Sequence, residues 1–170
     1  KEVSVNGQPT EYTFLNEHII LPKSSTIEGK NEVYIRFTAG NQSLNRNDEF
    51  LYTLLVPDRA RTVFPCFEQP NLKAAFTLQL EVPTKWEAVS NTSIASENII
   101  NGKKHITFLP TEPLSTYLFS FVAGKLKKVE YADGERILTA YHRETDPKKV
   151  TQLNDIFEQV ASSLHWLEDY

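Results

Sequence analysis

Methionine is absent from the 170-residue sequence, and cysteine occurs once, as Cys66. A single cysteine excludes an internal disulfide and leaves the redox compartment undetermined. The 6 glycines do not form a glycine-rich phosphate loop or a Gly-x-Ser-x-Gly nucleophile elbow. Because the sequence lacks methionine and begins with a lysine, we expect a processed product or a piece excised from a longer chain.

Long hydrophobic runs are missing as well. No run of about 18 apolar residues occurs, so we expect no membrane span. The net charge of −4 argues against nucleic acid as a partner, because phosphate binding requires clustered Lys and Arg. Hydrophobic residues make up 40% and charged residues 24%, as in a soluble globular protein. The compartment, whether cytoplasmic or periplasmic/extracellular, stays open.

A two-residue hydrophobic period runs through most of the chain and predicts a mostly β fold. It is clearest in residues 31–38, where Val33, Ile35 and Phe37 alternate with polar or amphipathic residues. Three dipeptides predict tight turns, namely Asn6-Gly7, Asn101-Gly102 and Asp133-Gly134. Many short strands with regular turns favour an antiparallel β-sandwich. The predicted strands are residues 2–6, 11–15, 18–21, 31–38, 50–56, 74–82, 87–91, 105–108, 117–123, 125–131 and 136–142.

The period changes near the end of the chain and predicts one amphipathic helix. Thr145 or Asp146 is a suitable N-cap, and Pro147 suits the first turn. Such a helix must pack its apolar stripe against another element. That stripe consists of Val150, Leu153, Phe157, Val160, Leu164 and Leu167.

The most distinctive segment is residues 61–78, with the sequence RTVFPCFEQPNLKAAFTL. Pro65 and Pro70 fix φ near about −65° and donate no backbone hydrogen bond. Phe64, Cys66 and Phe67 form a dense apolar patch around the first proline, which predicts an inert, buried thiol. The segment therefore predicts a rigid, half-buried bend that leads into a long strand.

This segment resembles the Phe-Pro-Cys-Phe-Asp-(Glu or Gln)-Pro-x-x-Lys-Ala-x-Phe signature of the N-terminal domain of zinc aminopeptidases of the aminopeptidase N family. Leu-Tyr-Thr at 51–53 precedes it at the family's spacing, and Trp-Glu-Ala-Val-Ser-Asn at 86–91 and Leu-Ser-Thr-Tyr-Leu at 114–118 follow in order. The similarity covers nearly the whole chain. Glu68 stands where the family usually has Asp. The structural signature positions are Arg61, Pro65, Cys66, Phe67, Glu68, Pro70 and Lys73.

The resemblance implies a saddle-like β-sandwich domain over residues 1–143, with its opening strands missing. Residues 144–170 are then the start of a thermolysin-like catalytic domain. The whole protein is expected to be a zinc-dependent aminopeptidase that removes N-terminal residues from peptides. Within it, this segment caps the active-site cleft and shapes the first subsite. The expected partners are its own catalytic domain and peptide substrates, and an exposed sheet edge would allow edge-strand self-association.

A zinc peptidase of this type requires His-Glu-x-x-His on a helix. The 4 histidines, His18, His105, His142 and His165, are too widely spaced to provide this motif. The family's Gly-x-Met-Glu-Asn motif is absent too, because the chain has no methionine. We therefore expect no catalytic or metal-binding residue in this segment, and zinc only in the full-length enzyme.

One family position departs from the pattern. In the family, a Gln or Glu three residues after the Thr of the Tyr-Thr-type dipeptide helps to hold the substrate's α-amino group, and here that residue is Val56. The amine is held by the catalytic domain alone, or Asp58 shifts in, or the activity is unusual. The first option is favoured because Leu54 to Val56 read as an apolar strand end. Leu54 and Val56 would then line the first side-chain pocket.

Two other functions stay open at this point. One is a family member that has lost catalysis and serves as a scaffold. The other is a stand-alone β-sandwich binding module for carbohydrate or protein. Side-chain preference and oligomeric state are not readable from the sequence.

Overall fold

The computed structural model describes residues 2–170, which form antiparallel β-sheets and a helical C-terminal segment. The predicted mostly β architecture is confirmed. The strands are β1 Glu2–Val5, β2 Gln8–Pro9, β3 Thr13–Leu15, β4 His18–Ile20, β5 Val33–Arg36, β6 Leu44–Arg46, β7 Phe50–Thr53, β8 Gln79–Pro83, β9 Glu87–Ser90, β10 Ile94–Ile100, β11 Lys103–Phe108, β12 Phe121–Gly124, β13 Lys127–Asp133 and β14 Arg136–His142. The helices are α1 Pro147–Thr151 and α2 Leu153–Asp169, and short 3₁₀ turns occupy Lys23–Ser25, Ala60–Thr62 and Thr116–Leu118.

The chain divides into two compact units. The first unit comprises the segment that ends at Asn45 together with Thr53–Ala75 and Glu112–Ser120. The second comprises Arg46–Tyr52, Phe76–Thr111 and Phe121–Tyr170.

The first unit contains a three-stranded sheet in the order β2-β1-β5. β1 pairs antiparallel with both neighbours and buries Val3 and Val5. Asn6 and Gly7 have φ values of 51° and 77°, so the predicted turn between β1 and β2 is confirmed. β5 lies at the sheet edge, and its Val33 is 44% exposed.

A hairpin of β3 and β4 also lies in the first unit. Its turn is formed by Asn16 and Glu17, whose φ values are 49° and 64°. Phe14 and Leu15 on β3 are exposed. The hairpin thus carries the Glu17 side chain at its tip.

The second unit contains a three-stranded sheet, β10-β11-β8, and most of a four-stranded sheet in the order β6-β7-β12-β9. Both sheets contribute side chains to one hydrophobic core, so the predicted sandwich is present in this unit. The Trp86 side chain lies in this core and is 7% exposed. The core consists of Val82, Trp86, Ala88, Ile106, Phe108 and Ala123, against which Leu51, Leu78 and Leu80 pack.

β12 and β7 approach each other closely at Gly124, which pairs with Phe50. A Cβ atom at Gly124 would lie 2.8 Å from the carbonyl oxygen of Glu49 and 2.8 Å from the Cβ of Phe50. The backbone N–H of Lys125 donates to that same carbonyl at 2.9 Å. Any larger residue at position 124 would therefore clash with its neighbours, so this position requires glycine.

The C-terminal helical segment begins where the sequence predicts. Asp146 is the N-cap, and its Oδ1 accepts the backbone N–H of Lys148 at 2.9 Å. α1 and α2 are separated at Gln152. Phe157 and Ala161 are the buried residues of α2. Among the helices of residues 2–170, none combines the length and apolarity that crossing a bilayer requires.

Three predicted strands differ from the observed bounds by three or more residues at one end. The strand predicted for 50–56 ends at Thr53, since the chain leaves the sheet and the N–H of Leu54 donates to Ser43 O at 2.9 Å. The strand predicted for 74–82 begins only at Gln79. The first half of the strand predicted for 117–123 is a 3₁₀ turn, closed by the N–H of Leu118 on Ser115 O at 3.0 Å.

Other predictions were incomplete. Strands β2, β6 and β10 were not predicted. Asn101 and Gly102 form the expected turn, with φ values of 51° and 75°. At the third dipeptide only Gly134 has a positive φ, 62°, because Asp133 is the last residue of β13.

Candidate functional site

The carboxylate of Glu68 is the centre of the signature bend. Its Oε1 accepts the backbone N–H of Ala60 at 2.9 Å, and its Oε2 accepts that of Arg61 at 2.6 Å. These donors open a 3₁₀ turn, where N–H groups have no partner within the turn. The Glu68 side chain is 11% exposed. Glu68 therefore satisfies two successive amides that the turn leaves free.

The guanidinium of Arg61 extends this network. Its Nη1 donates to the backbone oxygen of Asp58 and lies 3.5 Å from Glu68 Oε2. Its Nε lies 3.3 Å from Glu17 Oε2, at the tip of the β3–β4 hairpin. The hydrogen bond with Glu17 raises the pKa of Arg61. Arg59 is exposed.

The bend is also held against residues 115–119. Ser115 Oγ donates to Pro70 O at 2.6 Å, and Thr116 Oγ1 lies 3.4 Å from Glu68 Oε1. The rings of Phe64 and Phe119 pack edge to face, with centroids 5.8 Å apart. These contacts make residues 60–70 and 115–119 one packed corner.

Four signature residues lie on the outside of this corner or near it. Of the two rings in the predicted apolar patch, Phe64 is packed, but Phe67 is 82% exposed, so the prediction for Phe67 was wrong. Cys66 is half-buried, and burial followed by the charge of Glu68 raises the pKa of its thiol to about 11. Pro65 and Lys73 are exposed.

The expected subsite residues lie just before the corner. Leu54 and Val56 are 54% and 56% exposed, whereas Leu55 between them is 2% exposed. This alternation turns both flanking side chains away from the core. The Val56-Pro57 peptide bond is cis. The carboxylate of Asp58 is exposed and lies 3.7 Å from Arg61 Nη1.

The described part of the chain does not fit a zinc site. Within residues 2–170, no group of three or more His, Cys, Asp or Glu side chains is arranged to hold a metal ion. His165 Nε2 lies 3.0 Å from Asp133 Oδ2, but the guanidinium of Arg136 is 3.8 Å from the same oxygen. A cation already next to this carboxylate disfavours a metal there. The side chains of residues 2–170 are therefore not arranged as a zinc site.

Sequence reasoning did not find two members of the network. Glu17 is 44 residues from Arg61, and Thr116 is 48 residues from Glu68. The sequence around Glu17 contains no motif that marks a partner of the bend. Only the tertiary structure brings these residues together.

A family model described as Peptidase M1 N-terminal domain matches residues 34–118, which is half of the 170-residue chain. The match contains Leu54, Val56 and the packed corner except Phe119. The chain belongs to the Peptidase M1 N-terminal domain family, and the resemblance seen in the sequence is confirmed.

Curated relatives are similar to parts of the chain. Aminopeptidase 2, mitochondrial, of Saccharomyces cerevisiae is 41% identical over 78 residues, which are 46% of this chain and 8% of the yeast protein. Endoplasmic reticulum aminopeptidase 1 of Mus musculus is 29% identical over 119 residues, 69% of this chain and 13% of the mouse protein. The chain therefore spans about a tenth of the length of these relatives.

A solved structure shares the fold. The M1 zinc metallopeptidase from Deinococcus radiodurans superposes with a TM-score of 0.62 at 19% sequence identity, over 83% of this chain and 36% of that chain. A two-domain M1 zinc metallopeptidase E323A mutant bound to L-arginine gives a TM-score of 0.60 at 18% identity, over 83% of this chain and 36% of that chain.

Proposed function

We propose that this chain is part of a zinc-dependent aminopeptidase that removes N-terminal residues from peptides. In this proposal the β-rich residues 1–143 cap the active-site cleft and shape its first subsite. Residues 144–170 are the first helix of the catalytic domain, which supplies the zinc ligands and the catalytic residues. The partners are that domain and peptide substrates.

One observation carries the proposal. The family match includes the signature corner, and just before it Leu54 and Val56 direct apolar side chains outward on either side of buried Leu55. An apolar pair on a braced loop is suited to contact a substrate side chain. Because Val56 offers no hydrogen-bond acceptor, we assign the substrate's α-amino group to the catalytic domain alone.

The test is to express the complete protein and to measure hydrolysis of amino acid 4-nitroanilides with and without the zinc chelator 1,10-phenanthroline. We expect chelator-sensitive release of free N-terminal residues, no reaction with N-acetylated substrates, and no activity from the 170-residue chain alone. The matched variants are Leu54→Ala, expected to change side-chain preference, and Leu72→Ala, exposed elsewhere, expected to leave it unchanged. A complete protein without a His-Glu-x-x-His motif or without activity would refute the proposal.

We also propose self-association through a sheet edge. β5 and β10 are both edge strands, and Ile99 on β10 is 67% exposed. Unpaired strand edges are templates for pairing with another chain. The test is sedimentation velocity of the 170-residue chain over a range of concentrations. A chain that stays monomeric at all of them would refute this proposal.

A further inference from the structure

The Glu68 carboxylate accepts two backbone hydrogen bonds close to the proposed subsite. Each of its two oxygens accepts one of two consecutive amides, those of Ala60 and Arg61, at 2.9 and 2.6 Å. A carboxylate has only acceptor oxygens, so it can serve both donors at once. These contacts fix the 3₁₀ turn from one side.

The same turn is continuous with the residues that carry Leu54 and Val56. Leu55 is buried, and its carbonyl accepts the N–H of Arg59 at 2.9 Å. The carbonyl of Asp58 accepts a hydrogen bond from Arg61, and Ala60 is completely buried. Residues 55–61 therefore form a closed turn, anchored at one end by Leu55 and at the other by Glu68.

The geometry points to Glu68 as a positioning residue: it holds the turn 55–61 so that the Leu54 and Val56 side chains keep one orientation. Through them it sets which substrate side chains the first subsite accepts. This inference rests on the function proposed above. Glu68 itself contacts no substrate, because its side chain is 11% exposed and its oxygens are used by the backbone and by Arg61.

Glu68→Gln is the sharpest variant. A Gln side chain has nearly the same shape, but it offers one acceptor oxygen and one NH₂ group. One of the two amides then faces a donor instead of an acceptor, and the turn must shift. Glu68→Asp retains both oxygens on a shorter side chain and is expected to restore the function in part. Glu28→Gln is the control, because it makes the same change at an exposed carboxylate outside the corner and the turn.

The first experiment measures kcat and KM of the complete protein for Leu, Phe and Ala 4-nitroanilides. For Glu68→Gln we expect the ratio of kcat/KM between the large and small substrates to change about 10-fold, mainly through KM, since small displacements of binding groups have effects of this size. Glu68→Asp should lie between the Gln variant and the parent, and Glu28→Gln should match the parent. An equal loss for all substrates at unchanged KM would overturn the inference and leave Glu68 with a purely structural role.

The second experiment does not depend on activity. Amide hydrogen exchange in the 170-residue chain should become faster at Ala60 and Arg61 in Glu68→Gln, while the amides of the β13–β14 hairpin keep the exchange rates of the parent. Unchanged exchange at Ala60 and Arg61 would overturn the positioning role whatever the complete protein does. If exchange changes but the parent complete protein is inactive, the proposed function fails, and the subsite assignment fails with it.

Discussion

The ring of Tyr131 on β13 stacks on the ring of Phe157 on α2, with centroids 5.4 Å apart and planes 12° apart. Phe157 is 5% exposed, and it lies on the predicted apolar stripe of the helix. Short helices in proteins are held mainly by such packing and only weakly by intrinsic propensity. The stacking of Tyr131 on Phe157 therefore helps to pack α2 against the β13–β14 hairpin.

Replacing Phe157 with Ala should lower the free energy of unfolding by about 3–5 kcal/mol, because it leaves a cavity and removes the ring contact. Urea unfolding followed by far-UV circular dichroism measures this change. Ile156→Ala is the control: Ile156 is 51% exposed, and its loss should cost less than about 1 kcal/mol. Equal effects of the two variants would show that the stacked pair does not hold the helix.

Asp146→Ala should destabilise the start of α1 by about 0.5–2 kcal/mol, because the N–H of Lys148 loses its acceptor. The neighbouring Thr145→Ala serves as the comparison, since the N-cap is Asp146. Thermal unfolding of both variants measures the difference. A larger loss for Thr145→Ala would place the cap one residue earlier.

The Lys104 ammonium is 7% exposed and lies 3.1 Å from Glu87 Oε1 and 3.3 Å from Glu97 Oε1. Burial lowers the pKa of Lys104, but the two carboxylates outweigh this effect and raise it. Lys104→Met should reduce the free energy of unfolding by about 1–3 kcal/mol, because the carboxylates lose their shared donor.

The control for Lys104→Met is the adjacent Lys103→Met. Lys103 is 60% exposed and pairs with Glu81, so its loss should cost at most about 1 kcal/mol. Chemical denaturation of the two variants gives the comparison. If Lys104→Met were as stable as the parent, burial of the ammonium would have offset the gain from its two partners.

The Cys66 thiol should react slowly at neutral pH. Burial raises its pKa from 9.0 to about 11, so the reactive thiolate is scarcer than in the unfolded chain. The rate of alkylation by iodoacetamide should keep rising until about pH 11 in the folded chain, but level off near pH 9 in urea. Since the folded pKa is the higher one, this group's contribution to stability is complete below pH 9 and decreases as pH rises toward 11. Alkylation that levels off near pH 9 in the folded chain would contradict the shift.

Val56→Glu in the complete protein should lower KM for substrates with a free α-amino group by about 10-fold, because a carboxylate adds a charge-assisted hydrogen bond to the ammonium. Val56→Leu, which adds no charge, is the control. Both variants are assayed with Leu 4-nitroanilide. An unchanged kcat/KM in Val56→Glu would show that a carboxylate at this position does not reach the substrate's α-amino group.

Local patterns predicted the elements whose side chains alternate between core and solvent. β14 has the predicted bounds, and the C-terminal helix begins at the predicted proline. β10 escaped prediction because its seven residues are all exposed and its polar residues lie together in the centre. Without a buried face, a strand shows no alternation in its sequence.

The candidate site was predicted less completely, for a related reason. The sequence identified Leu54, Val56 and Glu68 as residues of the candidate segment from their residue types and positions. The contacts that organise it join Glu68 to amides seven and eight residues earlier and to Thr116. Backbone amides carry no sequence signal, and the exposure of Phe67 depends on how the bend packs. These relationships became visible only in the folded chain.

The missing side chain at Gly124 has a wider effect than its size suggests. Even a methyl group there would collide with the Glu49 carbonyl and with Phe50, and neither is a flexible side-chain end that can move aside. The Glu49 carboxylate also accepts a hydrogen bond from Arg143 at 3.0 Å, and the Arg143 guanidinium lies over the Phe50 ring. A bulkier residue would thus push β7 and β12 apart. It would also weaken the ion pair between Glu49 and Arg143, a residue 19 positions after the glycine.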